Sequence, residues 1–533
     1  MRLMRDGAFF FSRQRGAFRS DTRMSRHAKR VALNPSASRV WACAQQGLTA
    51  SLHEELRTFL KTRPRVLEKA LVLRSAACIA ALNGFPDAVA VMVKAGADVT
   101  DPFLKQSAWL SACHAGNVEC VRVLLRHGGG VIPGLPVLNH ALAHPGLVAE
   151  LLRAKAAADG AYARANPWPL YDAHPPLYDA AAIGNLANVA LLLQARADVN
   201  GPSQWYTKSL HQAARTGSIP LVRMLLDAKA VVNTESGYES ALHFARHAPM
   251  VAALLEAKAD VHARDRSGRT PLCGLMECRR APACAALLLE AKADTEAADW
   301  FDGRVALHEA AIHGHADAVR LLAAAKARLN VRDSTGPQFT PLQCAVDCGY
   351  ARVVAELLTA KADLNVCRHE RVSLLHTAVA HPSDDSRRCF RWRTASVEGH
   401  PRYQVVRTLL RFKADVHARG PQGNLPLHWA STRGHFTIDQ SIVRLLVQAQ
   451  ADVNAAGAGG ITPLESAVRA RKHGAVAALV ACKATFSTSG SVHMTSRAAA
   501  DGRHDVVQQL VAAKVALSRT VAAAHQRYLA GDE

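Results

Sequence analysis

At 533 residues, 49% hydrophobic but only 5% aromatic, the chain can hold several globular domains or one long repeat array, and its apolar content is aliphatic. That balance disfavours β-sandwiches, which draw on aromatic and β-branched side chains, and favours helices packed through small residues. The net charge of +21 attracts nucleic acid, anionic membrane or acidic protein without choosing among them.

In chain order, residues 1–40 come first. They carry ten Lys/Arg against Asp6 and Asp21 and read as a disordered basic tail, with an organelle transit peptide as the competing reading. Residues 41–72 read as a helical N-terminal cap. From 73 to 518 the chain repeats itself, and 519–533 form a C-terminal tail. No run approaches the roughly eighteen apolar residues of a membrane helix. The twelve cysteines lack the spacing of a disulfide scaffold, which points to a reducing compartment, cytoplasmic or nuclear.

The repeat is visible in LLLQARADVN (191–200), MLLDAKAVVN (224–233), ALLEAKADVH (253–262), LLLEAKADTE (287–296), LLAAAKARLN (321–330), ELLTAKADLN (356–365) and LLVQAQADVN (445–454). Counted at the position of Asp198, successive copies stand 29 to 37 residues apart, except for one step of 52 between Asp363 and Asp415. A second element precedes each copy, as in TKSLHQAARTGS (207–218), RVALHEAAIHGH (304–315) and LPLHWASTRGH (425–435). Thr or Ser suits a helix N-cap, Pro its first turn and Gly its end; a longer apolar-periodic helix and a polar turn follow. One such pair cannot bury its apolar face, whereas stacked copies bury a continuous core.

On these residues the chain resembles ankyrin-repeat proteins, whose pattern places Thr-Pro-Leu-His at the first helix and Ala-Asp-Val-Asn at the turn. The resemblance spans about residues 73–518, twelve or thirteen repeats with several degenerate. It implies an all-α solenoid of stacked helix-turn-helix units with β-hairpin fingers, used in the family for protein–protein binding. In the family, asparagines placed like Asn200, Asn233, Asn330, Asn365 and Asn454 can be hydroxylated; a plain turn residue is the alternative.

Where the family has Gly after the second helix, this chain keeps it only at Gly96. Lysine stands at Lys155, Lys229, Lys258, Lys292, Lys326, Lys361, Lys413, Lys483 and Lys514, with Arg196 and Gln450 at two more. A left-handed backbone costs a non-glycine residue on the order of 1 kcal/mol, part of which a cation at a helix C-terminus recovers. Stacking would align these cations as a basic rail, but the Asp two residues on is expected to neutralise much of it.

Catalytic patterns are absent above background, so the chain reads as a non-enzyme without cofactor or metal. His211, His243, His308, His376 and His428 fill the Thr-Pro-Leu-His slot, where the family uses the ring to bond backbone between repeats. HEAAIH (308–313) has one residue too many for a zinc helix. Cys273, Cys278, Cys284, Cys344 and Cys348 read as buried thiols in alanine-sized space. GAGG (457–460) lacks the Gly-Lys-Ser/Thr of a phosphate loop.

Partner binding is expected at finger aromatics, Trp205 with Tyr206 and Trp300 with Phe301; packing onto the neighbouring finger is the other reading. Removing residues 382–398 from the long step restores a step of 35, so this stretch reads as a loop inserted between the two helices of one repeat. It carries Arg387, Arg388, Phe390, Arg391, Trp392 and Arg393. The expected function is a monomeric interaction scaffold or adaptor binding protein partners through its concave face, fingers and insert. The alternative is nucleic-acid or polyanion binding through the basic surface and tail.

Overall fold

The computed structural model describes residues 35–485, apart from 63, 65, 100–106, 128–136, 160–173, 202–207, 234–238, 279, 337, 367–371, 381–399 and 433–435. The chain divides after Val232 into two compact units.

In the first unit, helices Pro35–Gln46 and Thr49–Lys61 pack against each other and precede the long helix Val66–Asn83. The first of these begins inside the stretch expected as tail. Ala37, Val40 and Ala44 are buried on its inner face, which moves the start of helix to Pro35. Helix pairs follow at Ala108–Ala115/Val118–His127, Val137–Ala141/Pro145–Arg153, Pro176–Ile183/Leu186–Gln194 and Ser209–Thr216/Ile219–Asp227.

The second unit continues the same grammar, among its described residues, from Ala241–Phe244/Ala248–Glu256 to Pro463–Arg469/His473–Ala481. In each pair the first helix is short, because the chain places a stop after about two turns: Gly314 and Gly349 sit at φ 79 and 78, conformations a side chain resists. Starts are as local. Thr340 accepts the Gln343 N–H at 3.3 Å while the Gln343 side chain accepts the Thr340 N–H at 2.8 Å, with Pro341 in the first turn.

First helices pack on first helices of the next repeat, and second helices on second helices. Between them lie small or aliphatic residues, such as Leu307, Ala310, Ala311, Val319 and Leu322 in one repeat, all essentially inaccessible. Alanine brings the short helices close and leucine fills the gaps, so burial comes from shape rather than aromatic bulk.

The connecting fingers are tight turns, and no strand forms among the described residues. Each closes on very few backbone bonds: Asp265 N–H to the Arg269 carbonyl at 3.0 Å, Asp299 to Arg304 at 3.0 Å, Gly457 to Ile461 at 2.9 Å. The ladder of the expected β-hairpin is thus not seen at the described fingers. The helices Leu374–Ala380 and Pro401–Arg411 flank the long step and pack together. The buried Arg402 guanidinium donates to the Val379 carbonyl at the end of the first of them. The insert between them lies outside the described residues, as do 1–34 and the segment from 486 to the end.

Candidate interaction surface

Four histidines of the recurring slot staple consecutive repeats. A backbone carbonyl can only accept, so the Nε2 atoms of His243, His308, His376 and His428 donate to the carbonyls of Arg269, Phe339, Asn424 and Ile461, at 2.9 to 3.0 Å. Each carbonyl belongs to the next repeat. Nδ1 then takes the local role, accepting the N–H of Ser240 at 3.0 Å, Val305 at 3.3 Å and Leu425 at 3.3 Å. In the first unit Asn139 makes the same reach, donating from Nδ2 to the His174 carbonyl at 2.9 Å. Burial holds all four histidines below the ordinary imidazole range, with the accepting carbonyl pulling the other way. These rings are structural, as their slot implied.

The residues replacing the family glycine adopt the conformation that glycine serves. Lys155, Arg196, Lys229, Lys258, Lys292, Lys326, Lys361, Lys413, Gln450 and Lys483 lie at φ 60 to 72, and all are exposed. An asparagine from the preceding repeat locks several of them. Asn200 donates to the Lys229 carbonyl at 3.1 Å and accepts the Val231 N–H at 2.8 Å; Asn233 does the same for Lys258 and Asp260 at 3.2 and 2.8 Å. The aspartates expected to neutralise the lysines turn elsewhere. Asp260, Asp294, Asp363, Asp415 and Asp452 each accept the N–H two residues on, at 2.8 to 2.9 Å. None of them forms an ion pair with these lysines among the described residues.

Trp300 and Phe301 crown the finger at 299–304, with 62% and 75% of their surfaces exposed. Their backbone is fixed from three directions. Asp299 Oδ1 accepts the N–H groups of Phe301, Asp302 and Gly303 at 3.0, 2.7 and 3.0 Å. Trp300 N–H donates to Ser267 on the preceding finger at 2.9 Å, and Ser334 on the following finger donates to Asp302 at 2.6 Å. The indole also covers Gly268, where an added Cβ would lie 2.4 Å from Trp300 Cγ. Trp300 thus packs on its neighbour and still presents most of its surface, while Phe301 projects. Trp205, Tyr206 and the insert residues Arg387, Arg388, Phe390, Arg391, Trp392 and Arg393 lie outside the described residues.

Sequence reasoning passed over the arginine clasp between fingers. Arg264 Nη1 donates to the Gly268 carbonyl on its own finger at 2.7 Å and to Ala298 on the next at 2.8 Å. Arg419 repeats this toward Gly423 and Ala456, both at 3.3 Å. The signal was present as the recurring DVHAR at 260–264 and 415–419.

Among the described residues no group of three or more His, Cys, Asp or Glu is placed to hold a metal ion. Burial pushes the thiols up, to about 12 for Cys113 and about 11 for Cys78, Cys120 and Cys284, away from nucleophilic chemistry. No described helix is long and apolar enough to cross a membrane.

Stacked two-helix units joined by histidine and asparagine staples define a helical repeat protein. Within that class the chain belongs to the ankyrin-repeat family: the model for ankyrin repeats in sets of three copies matches residues 177–265, 210–299, 240–333, 275–368 and 393–489, together more than half of the chain. Among curated proteins it is similar to the E3 ubiquitin-protein ligase XBAT33 of Arabidopsis thaliana, 41% identical over 96 residues. That match covers 17% of this chain and 18% of the relative.

Proposed function

We propose that this protein is a non-enzymatic interaction scaffold or adaptor. Its partners would bind the first-helix face, the fingers and the insert at 382–398. Ankyrin repeats are protein-interaction modules, and the observation that carries the reading here is the Trp300–Phe301 finger. Two large aromatics lie exposed on a backbone held by five hydrogen bonds. Exposed aromatics held this rigidly lose little conformational freedom on binding, the property of interface anchors. The relative's name belongs to an enzyme class acting on other proteins, which fits a protein partner. Ten free thiols among the described residues fit a reducing, cytoplasmic setting.

Affinity capture with chemical crosslinking and mass spectrometry tests this. Partner crosslinks should fall on Lys292, Lys326 and Lys361 at the finger bases, and losing residues 382–398 should remove a subset of them. Capture of nothing above background, or capture unchanged by combined loss of the insert and of the Trp300 and Phe301 side chains, contradicts it.

A second reading, polyanion binding, draws support from the exposed lysines that recur at the ends of the second helices. It requires nucleic-acid affinity that falls steeply with salt and survives removal of residues 1–34.

A further inference from the structure

Positive charge is not spread evenly over the repeats. Residues 35–380 carry 36 Lys/Arg against 31 Asp/Glu, whereas residues 399–485 carry eleven against Asp415, Asp439, Asp452 and Glu465. Asp415 and Asp452 accept backbone N–H groups, which leaves them charged, and both are exposed. Glu465 is 1% exposed and caps the helix Pro463–Arg469. Against these stand eight exposed Lys/Arg side chains among the described residues of the same stretch. The excess of cations in the last described repeats therefore survives a full count.

Part of that excess forms a stripe on the second helices. Arg407 and Arg411 stand one turn apart on Pro401–Arg411, opposite the buried Val405, Val406 and Leu409. Arg444 holds the place of Arg407 on Phe436–Gln448: each follows a buried valine and stands eight residues before the aspartate of its finger. The two helices pack together, which sets these arginines side by side at about 10 Å, the spacing of packed helices. Lys413, at φ 62, extends the stripe past the helix end. None of the four forms an ion pair among the described residues. Arg320, at the same place two repeats before Arg407, is instead paired with Asp317 at 2.7 Å.

We propose that this second-helix face binds double-stranded nucleic acid through its phosphates, without reading sequence. The proposal rests on the polyanion reading above, places it on one face and names its ligand. No large apolar side chain described in residues 399–485 is exposed. A protein partner draws most of its affinity from apolar anchors, and stable attachment to a membrane needs one beside the basic patch. A nucleic-acid backbone needs neither, because counterion release drives its binding and guanidinium forks match its phosphates. Single strands would want exposed aromatics on which bases stack, and this face offers none among its described side chains. The fingers and first helices stay free for a protein partner.

The test is fluorescence anisotropy of the full chain with duplexes of about 20 base pairs, DNA and RNA, each in two unrelated sequences. At least one kind of duplex should bind, equally in both sequences, with affinity falling about a hundred-fold between about 50 and 200 mM salt. Arg407→Glu with Arg444→Glu should weaken binding about ten-fold or more and lower the salt slope by about 2. The charge-matched pair Arg223→Glu with Arg328→Glu, exposed elsewhere in the repeats, should weaken it less than about three-fold. All four substitutions alter exposed side chains, so circular dichroism melting should be unchanged. If the first pair unfolds the chain, Arg407→Gln with Arg444→Gln carries the same comparison at about a third of the effect. Phosphatidylserine vesicles and polyglutamate should compete about ten-fold more weakly than unlabelled duplex. Competition as strong as that of duplex, or preference for one sequence, overturns the ligand named here. Equal loss in the two charge-matched pairs overturns this face and leaves the polyanion reading standing; absence of salt-dependent binding to any duplex removes both.

Discussion

Replacing His308 with alanine isolates the staple between repeats. The ring is fully buried, its Nδ1 accepts the Val305 N–H at 3.3 Å, and its Nε2 donates to Phe339 across the repeat boundary at 3.0 Å. Val305 stands where Ser240, Thr270, Thr340 and Thr462 stand in other repeats, so no side-chain oxygen replaces the lost cap. Alanine orphans one buried donor and one buried acceptor, each costing about 1–3 kcal/mol, and leaves a cavity. Water entering the cavity recovers part of this, giving an expected loss of about 2–4 kcal/mol. Because stability in a repeat stack is local, the loss should concentrate at the boundary between helices Ala306–His313 and Pro341–Cys348. Urea denaturation measures the total, and hydrogen exchange at Phe339–Gln343 its location. Gln343 occupies the same slot one repeat later and caps Thr340 at 2.8 Å, so His308→Gln should restore about half of the loss. A cost under about 1 kcal/mol for alanine, or glutamine no better than alanine, would refute the staple.

Three further outcomes follow from the same geometry. The four slot histidines have folded-state pKa values depressed by burial, so below about pH 6.5 the unfolded chain takes up protons that the folded chain refuses; stability is full above that value and should decline in urea titrations as the pH falls below it. Lys292→Gly should be neutral within about 0.5 kcal/mol, since relief of the left-handed strain at φ 61 is offset by chain entropy and the lost C-terminal cation, whereas Lys292→Val should cost about 1 kcal/mol more by thermal melting. Deleting residues 382–398 should leave a cooperative melt, because the flanking helices pack together and Arg402 fastens their near ends; loss of cooperativity would show that the insert belongs to the core.

The features readable in advance were those written once per repeat. The His slot, the Gly stops and the lysines at left-handed positions are periodic, so the sequence states each of them many times over. The aspartates offset the charge of the lysines without pairing with them. The backbone N–H two residues on is already in reach of the carboxylate and needs no ordering of a long side chain. The arginine clasp escaped because, among the described residues, it occurs at Arg264 and Arg419 alone, and its acceptors, Ala298 and Ala456, lie one repeat away at positions without a signature. Trp300 was readable as exposed or as packed, and it is both: a flat ring covers Gly268 with one face and offers the other.

The central claim is that this stack works by presenting fingers to a protein. Hydrogen exchange on the full chain, free and bound to its captured partner, measures that most directly. Protection gained on binding should map to residues 299–304 and the adjoining fingers, with the second helices unchanged. Protection confined to the second helices, or none anywhere in the repeats, would contradict the account.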